Sequence, residues 1–142
     1  MEIFEDFRIF MVKEWDIDAL EDLYRAGGWW RGSYDRSSLP DLVRSSFGFA
    51  VVVHLPSGQT VGMGRLISDG VSDAYVQDLV VLPGFRGHGI GRAIVKRLVE
   101  FAMARRVTWI ALVAEPGTRS FYEELGFSPM EGFVPMLYQE QA

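Results

Sequence analysis

Between Leu82 and Arg92 the chain reads Leu-Pro-Gly-Phe-Arg-Gly-His-Gly-Ile-Gly-Arg, with glycines alternating at 87, 89 and 91. Upstream lies a β-rich run, Tyr75 to Leu82. Downstream, Ile90, Ile94, Leu98 and Phe101 recur at helical spacing, with Arg92, Lys96 and Arg106 off that stripe. The glycines therefore stand where a strand hands over to a helix. A second apolar run, Val107 to Ala114, comes after that helix. A strand, a helix and another strand form a right-handed crossover whose two strands are parallel. Residues 75–82 and 107–114 are thus expected side by side in one sheet, which excludes an all-helical or purely antiparallel chain.

The preceding residues read as an antiparallel beginning. Residues 8–12 predict a short strand, and Asp16 or Asp18 caps a helix through Leu20, Leu23 and Tyr24 that ends at Gly27-Gly28. A second short helix starts near Ser38, with Pro40 in its first turn, and ends by Gly48. Phe49 to Leu55 and Thr60 to Ser68 flank a turn at Pro56-Ser57-Gly58, a hairpin pattern. After the parallel unit, Gly117 to Leu125 predicts a short helix, and Phe127 to Tyr138 one or two closing strands. The fold class expected is α+β (mixed α/β) in a single domain over residues 1–142.

Composition narrows the chemistry. The 142 residues contain no Cys, which excludes disulfides, thiolate metal sites and a cysteine nucleophile, and the two His give no metal-ligand spacing. No apolar run can span a bilayer, and the N-terminus lacks the basic start of a signal peptide, so a cytoplasmic protein with no membrane partner is expected. The net charge of −5 argues against nucleic acid. Charge is nevertheless uneven: residues 86–106 carry Arg86, Arg92, Lys96, Arg97, Arg105 and Arg106 against Glu100 alone. Such a patch suits a compact anionic ligand, although a solvated helix face would look the same.

Glycines at a strand-to-helix junction let several backbone N–H groups converge, and the helix N-terminus adds its own donors. The result is a cradle for phosphate or pyrophosphate. Two common phosphate loops do not fit. The P-loop needs Lys-Ser/Thr after its last glycine, where this chain has Ile90-Gly91. The dinucleotide fingerprint needs a glycine at 92, where this chain has Arg. The segment resembles the acetyl-CoA loop of the GNAT superfamily of N-acetyltransferases, Arg/Gln-x-x-Gly-x-Gly/Ala, with Arg86, Gly89 and Gly91 in the fixed places. Residues 78–83 (Asp-Leu-Val-Val-Leu-Pro) are similar to the strand before that loop, and Phe121-Tyr122-Glu123-Glu124-Leu125-Gly126-Phe127 to the second signature, F-Y-x-x-L-G-F. The resemblance is specific from Tyr75 to Phe127 and earlier rests on element order. It implies a single mixed sheet of about six to seven strands with helices on both faces. Glu115-Pro116-Gly117 departs from the pattern, which often has Asn near 115 and a small residue near 118, so contacts there are not carried over.

The resemblance implies acetyl-CoA as co-substrate. Its pyrophosphate would sit on the amides of Arg86, Gly87, His88, Gly89, Ile90 and Gly91, with Arg86 and Arg92 near phosphate oxygens, while Arg97 and Lys96 fit a surface role. Its pantetheine arm would pair with the backbone of Leu79, Val80 and Val81 like an added strand. A free N–H near Val80 or Val81 would face the thioester carbonyl. Tyr122 matches the tyrosine near the CoA sulfur and would act as general acid; a packed aromatic among Phe121 and Phe127 is the plainer alternative. Asp78 is the candidate general base, although strict alternation turns it away from Leu79 and Val81 unless a bulge intervenes. Asp73 and His54 are lesser candidates, and His88 is expected to act through its backbone.

The acceptor would meet the segment between the first two helices, Gly27 to Tyr34. Trp29, Trp30 and Tyr34 there offer flat faces for a ring or a cation, or simply cap the core. A faint likeness to arylalkylamine-type members points to a small amine, aromatic amines among them, over a protein lysine or an aminoglycoside. The alternatives are a protein N-terminal or lysine acetyltransferase, a non-catalytic CoA-binding sensor and an unrelated nucleotide-binding module. A homodimer, to which Phe133 to Tyr138 would contribute, is compatible with the resemblance.

Overall fold

The computed structural model describes residues 3–4 and 6–140. The chain divides into two compact units, Met1–Ala111 and Leu112–Ala142. The first holds a six-stranded sheet in the order of the sequence: β1 (Ile3–Phe4), β2 (Phe7–Met11), β3 (Gly48–His54), β4 (Gln59–Ile67), β5 (Asp73–Val81) and β6 (Trp109–Ala111). Neighbours are antiparallel until β6, which runs parallel to β5. Helices α1 (Ile17–Ala26) and α2 (Leu39–Ser45) separate β2 from β3, and α3 (Ile90–Ala104) makes the crossover from β5 to β6.

Local chemistry explains the boundaries. The Asp16 carboxylate accepts the Ala19 N–H and caps α1, and Gly28, with φ of 80°, takes the left-handed turn after it. A 3₁₀ turn at Arg36–Ser38 leads into α2, with Pro40 in its first turn. Gly58, with φ of 72°, closes the β3–β4 hairpin. Leu20, Leu23 and Tyr24 of α1 and Leu39 and Val43 of α2 pack on Phe49, Val51, Met63 and Val80 of the sheet. The α3 stripe covers the opposite face, where Ile90, Ile94 and Leu98 are all buried. Because both faces are covered, Phe49 to Val52 form an unbroken apolar run instead of an alternating one.

Strands β4 and β5 depart from regular pairing and packing in two ways. Gly62 and Gly64 let α3 approach: a Cβ at Gly62 would stand 3.1 Å from the Ile90 Cγ2, and one at Gly64 2.8 Å from the Ile94 Cγ2. Opposite Gly64 lies a β-bulge. Met63 pairs with Val80 and Arg65 with Gln77, so Asp78 and Leu79 together face one residue. Asp78 adopts φ of 58°, left-handed backbone that Asp tolerates better than most side chains. Arg65 and Met63, two apart, share a face, and so do their partners Gln77 and Val80, three apart. Strict alternation forbids that.

Two expectations are corrected. The strand expected at 107–114 is regular only over Trp109–Ala111, and its pairing with β5 stops at Tyr75. Beyond Tyr75, among the described residues, β5 has β4 on one edge and no strand on the other. The closing strands expected at Phe127 to Tyr138 are absent, so the sheet ends at the lower strand count. Pro129, Gly132 (φ of 81°) and Pro135 interrupt that stretch, and Phe133, Val134, Met136, Leu137 and Tyr138 are exposed.

In the second unit, α4 (Arg119–Glu123) ends in a Schellman closure: Gly126 takes φ of 99°, and the Phe127 N–H donates to the Tyr122 carbonyl at 3.1 Å. The Tyr122 ring meets Phe121 and Phe127 edge-on, at 5.0 and 5.9 Å between centroids. The Leu-Gly-Phe end of the second signature thus has a local structural reason.

Gly64→Ala tests the close approach of α3. Ile94 is branched at Cβ and cannot swing its Cγ2 aside, so overpacking is expected to lower stability by about 1–3 kcal/mol, read as a reduced midpoint in urea unfolding.

Candidate active site

The glycine loop leaves β5 through a 3₁₀ turn at Pro83–Phe85. Gly87 and Gly89 have φ of 85° and 79°, and a Cβ on either would point into open space. Gly89 is the N-cap of α3 and supplies no side-chain cap, so the first-turn N–H groups of the helix have no acceptor within it. A loop of this shape fits a pyrophosphate: open space over two glycines, backbone donors and a positive dipole end. The Arg86 Nε donates to the Val81 carbonyl at 3.0 Å, which pins the loop to the strand it leaves. Phe7, His54, Phe85 and His88 form an aromatic seat: Phe7 lies 5.2 Å from His54 and 6.0 Å from His88, and His54 lies 5.1 Å from Phe85. His88 therefore packs by its ring. His54 belongs to this seat and bonds Ser57 at 2.7 Å, which removes it as a base for the acceptor side.

Along β5, among the described residues, no strand pairs on the β6 side after Tyr75. The Leu82 N–H donates to Val61 of the neighbouring chain segment at 2.8 Å, so alternation turns the Val81 N–H toward the edge without a strand. The Val81 carbonyl points the same way, toward Arg86.

On the face covered by α1 and α2 lies a cavity of about 440 Å³. Its walls include Tyr24, Trp29, Trp30, Tyr34, Leu39 and Leu42, and Asp78 reaches it from the bulge. Trp29 meets Tyr24 edge-on at 6.0 Å, and Trp30 meets Tyr34 at 5.7 Å. Gly27 permits this wall: a Cβ there would stand 2.6 Å from the Trp29 ring. Arg36, which pairs with Asp18 and at 3.3 Å with Glu21, ties the segment after Tyr34 back to α1.

Asp78 is held by two residues that the sequence did not mark. The Tyr24 hydroxyl donates to its Oδ2 at 2.8 Å, and the Arg65 Nε donates to the same oxygen at 2.6 Å. Burial, then the adjacent Asp78 carboxylate, push the Tyr24 phenol far above the usual tyrosine range, so it remains a donor at any physiological pH. Tyr24 was legible only as core. A phenol between Leu20 and Leu23 on a buried stripe needs a polar partner, and an arginine inside the apolar strand Thr60–Ile67 needs one too; those were the available signals. Asp73 lies at the start of β5, next to Trp109 in register, and does not line the cavity.

Trp29, Trp30, Tyr34 and Asp78, expected on the acceptor side, come together around this one cavity. Leu79, Val80 and Val81 run along β5, and residues 86 to 92 form the loop and first turn of α3. Tyr122 belongs to the second unit, where burial and, after it, the Glu115 carboxylate raise its phenol above the ordinary value. Among the described residues no helix is long and apolar enough to cross a membrane.

The framework is thus a mixed sheet with a parallel crossover, a glycine loop between strand and helix, and a bulged strand beside an aromatic cavity. The model of the Acetyltransferase (GNAT) family matches residues 2–127, and the chain belongs to that family. It is similar to the chloroplastic serotonin N-acetyltransferase 2 of Oryza sativa subsp. japonica, 35% identical over 119 residues, 80% of this chain and 56% of that protein. It is also similar to a histone acetyltransferase of Glycine max, 36% identical over 79 residues, 55% of this chain and 34% of that protein. The chain thus spans about half or less of the length of these relatives. A GNAT family acetyltransferase structure from Streptococcus pneumoniae shares the fold with a TM-score of 0.79 at 24% identity, covering 96% of this chain and 99% of that one.

Alkaline unfolding checks the Tyr24 environment. Its raised phenol stabilises the fold fully below the unfolded value near 10.0, and that stability is lost as pH rises from there toward the folded value. Relative to Tyr24→Phe, the wild type is expected to lose about 1.4 kcal/mol per pH unit above that point and nothing below it. Parallel curves for the two proteins in alkaline urea titrations would show the phenol to be unburied.

Proposed function

We propose that the chain is an acetyl-CoA-dependent N-acetyltransferase acting on a small primary amine, with aromatic amines preferred, and that residues 1–142 work as one catalytic domain. The family match, which runs through both compact units, supports the domain reading. The observation that carries the acceptor reading is the cavity itself: aromatic walls from Trp29, Trp30 and Tyr34 with two carboxylates, the exposed Asp35 and the part-buried Asp78. Aromatic faces and an anion together suit an amine bearing a flat apolar group. The name of the rice relative agrees with that class, and the name of the soybean relative marks protein amines as the competing acceptor.

In this reading the loop amides from Arg86 to Gly91 and the side chain of Arg92 hold the pyrophosphate, and the free edge of Leu79 to Val81 pairs with the pantetheine arm. The outward Val81 N–H stabilises the oxyanion as the amine attacks the thioester carbonyl. Asp78 takes the proton that the amine loses. Tyr122, kept protonated by its raised phenol, gives a proton to the leaving thiolate.

Calorimetric titration with acetyl-CoA, for the wild type and Gly89→Glu, is the first test. Micromolar binding that disappears in the variant is expected, because a carboxylate would enter the pyrophosphate cradle. No binding by the wild type at millimolar acetyl-CoA would end the transferase reading. Tyr122→Phe is expected to bind acetyl-CoA as the wild type does while turnover, measured by thiol release, falls about 10²-fold or more. Unchanged turnover would remove Tyr122 as the acid.

A further inference from the structure

The Asp78 carboxylate is held asymmetrically. Oδ2 accepts from both Tyr24 and Arg65, whereas among the described residues no hydrogen bond reaches Oδ1. The two donors come from different elements of the core. Tyr24 is fixed in the buried stripe of α1, and Arg65 projects from β4, the strand paired with β5. Arg65 is itself anchored: its Nη1 lies 3.4 Å from the Ser46 hydroxyl, which donates to the Leu42 carbonyl at 2.6 Å, and Leu42 lines the cavity. The Lys13 Nζ holds the Ser46 carbonyl at 2.9 Å. A carboxylate with one oxygen fixed by two rigid donors no longer turns freely about its side-chain torsions.

We infer that Arg65 and Tyr24 are positioning residues that grip Asp78 by Oδ2 and so reserve Oδ1 for the acceptor nitrogen. The inference rests on the reading that the amine enters this cavity. As the N–C bond forms and the C–S bond breaks, one N–H proton of the amine passes to Oδ1 and later leaves to solvent. The thiolate receives its proton separately, from Tyr122, which is reprotonated from water. Tyr24 stays protonated throughout and moves no proton. Its phenol, like the Arg65 guanidinium, keeps the second oxygen occupied, so that the amine meets one acceptor in one orientation.

The test is steady-state acetylation of 2-phenylethylamine by Arg65→Met, Arg65→Lys, Tyr24→Phe and Asp78→Asn, with acetyl-CoA binding measured for each. Loss of orientation is expected to lower kcat/KM for the amine by about ten- to a hundredfold in Arg65→Met, with acetyl-CoA affinity unchanged. Arg65→Lys should recover part of that loss. In the Asp78→Asn background, Arg65→Met should cost less than about twofold, because the partner through which it acts is already gone. Additive losses in that double variant would overturn the inference, as would wild-type kinetics in both Arg65→Lys and Tyr24→Phe. Those two conservative variants decide the matter if Arg65→Met does not fold. Failure of the wild type to acetylate 2-phenylethylamine or butylamine would instead defeat the small-amine reading on which the grip depends.

Discussion

The two-against-one pairing of Asp78 and Leu79 with Gly64 is the constraint on which the rest of the first unit depends. A bulge bends its strand and increases the local twist. Here the pairing of β5 with β6 ends at Tyr75, a few residues before it, and among the described residues no strand pairs with that edge of the later part of β5. The same bulge breaks alternation, so Gln77 and Asp78 both serve the face that α1 and α2 cover. It also needs left-handed backbone at Asp78, which costs of order 1–2 kcal/mol for a residue with a Cβ. Gly64 completes the arrangement from the other side, since a side chain there would collide with Ile94 and hold α3 away from the sheet.

The polar contacts at Asp78 are better understood as geometry than as stability. Arg65 and Asp78 are 17% and 18% exposed, and a mostly buried ion pair gains little over an apolar replacement because desolvation offsets attraction. Removing only one partner is a different matter, as it leaves a charge without compensation. What the group does provide is direction. A carboxylate lining an aromatic cavity is free to turn about its side-chain torsions, and here donors from α1 and β4 both reach for one oxygen. The chain therefore spends burial of a charged pair on the orientation of a single side chain.

Local patterns in the sequence carried much of this. The α3 stripe, the Gly28 turn and the glycine loop are each written in a few consecutive residues and fall where their patterns point, and of the two caps the sequence offered, Asp16 and Asp18, the structure uses Asp16. Patterns that need a partner strand were not legible in the same way. A bulge is a mismatch between two strands, so neither Asp78 nor Gly64 announces it alone. Likewise, Phe127 to Tyr138 has strand-like composition but finds no neighbour to pair with, and its prolines and Gly132 prevail. The contact of Tyr24 with Asp78 joins residues 54 apart in sequence, and nothing local to either encodes it. Its trace in the sequence is indirect: a buried phenol and a buried guanidinium, each requiring a partner elsewhere.

One strand therefore sets the internal distances of the candidate site. Within the nine residues of β5 lie the bulge carboxylate and the outward Val81 N–H, the loop follows directly after a 3₁₀ turn, and β4 supports the strand by hydrogen bonds. Asp78 lies in the bulge and Val81 beyond it, and the pairing of this stretch with β4 sets their separation, which cannot change without breaking that ladder. Arg86 reinforces the far end by returning to the Val81 carbonyl. A ligand seated on the loop with its arm along that edge would meet the carboxylate side at a spacing fixed by that pairing. The Trp29 to Tyr34 wall stands outside this constraint, because it contributes side chains to the cavity and no strand to the sheet.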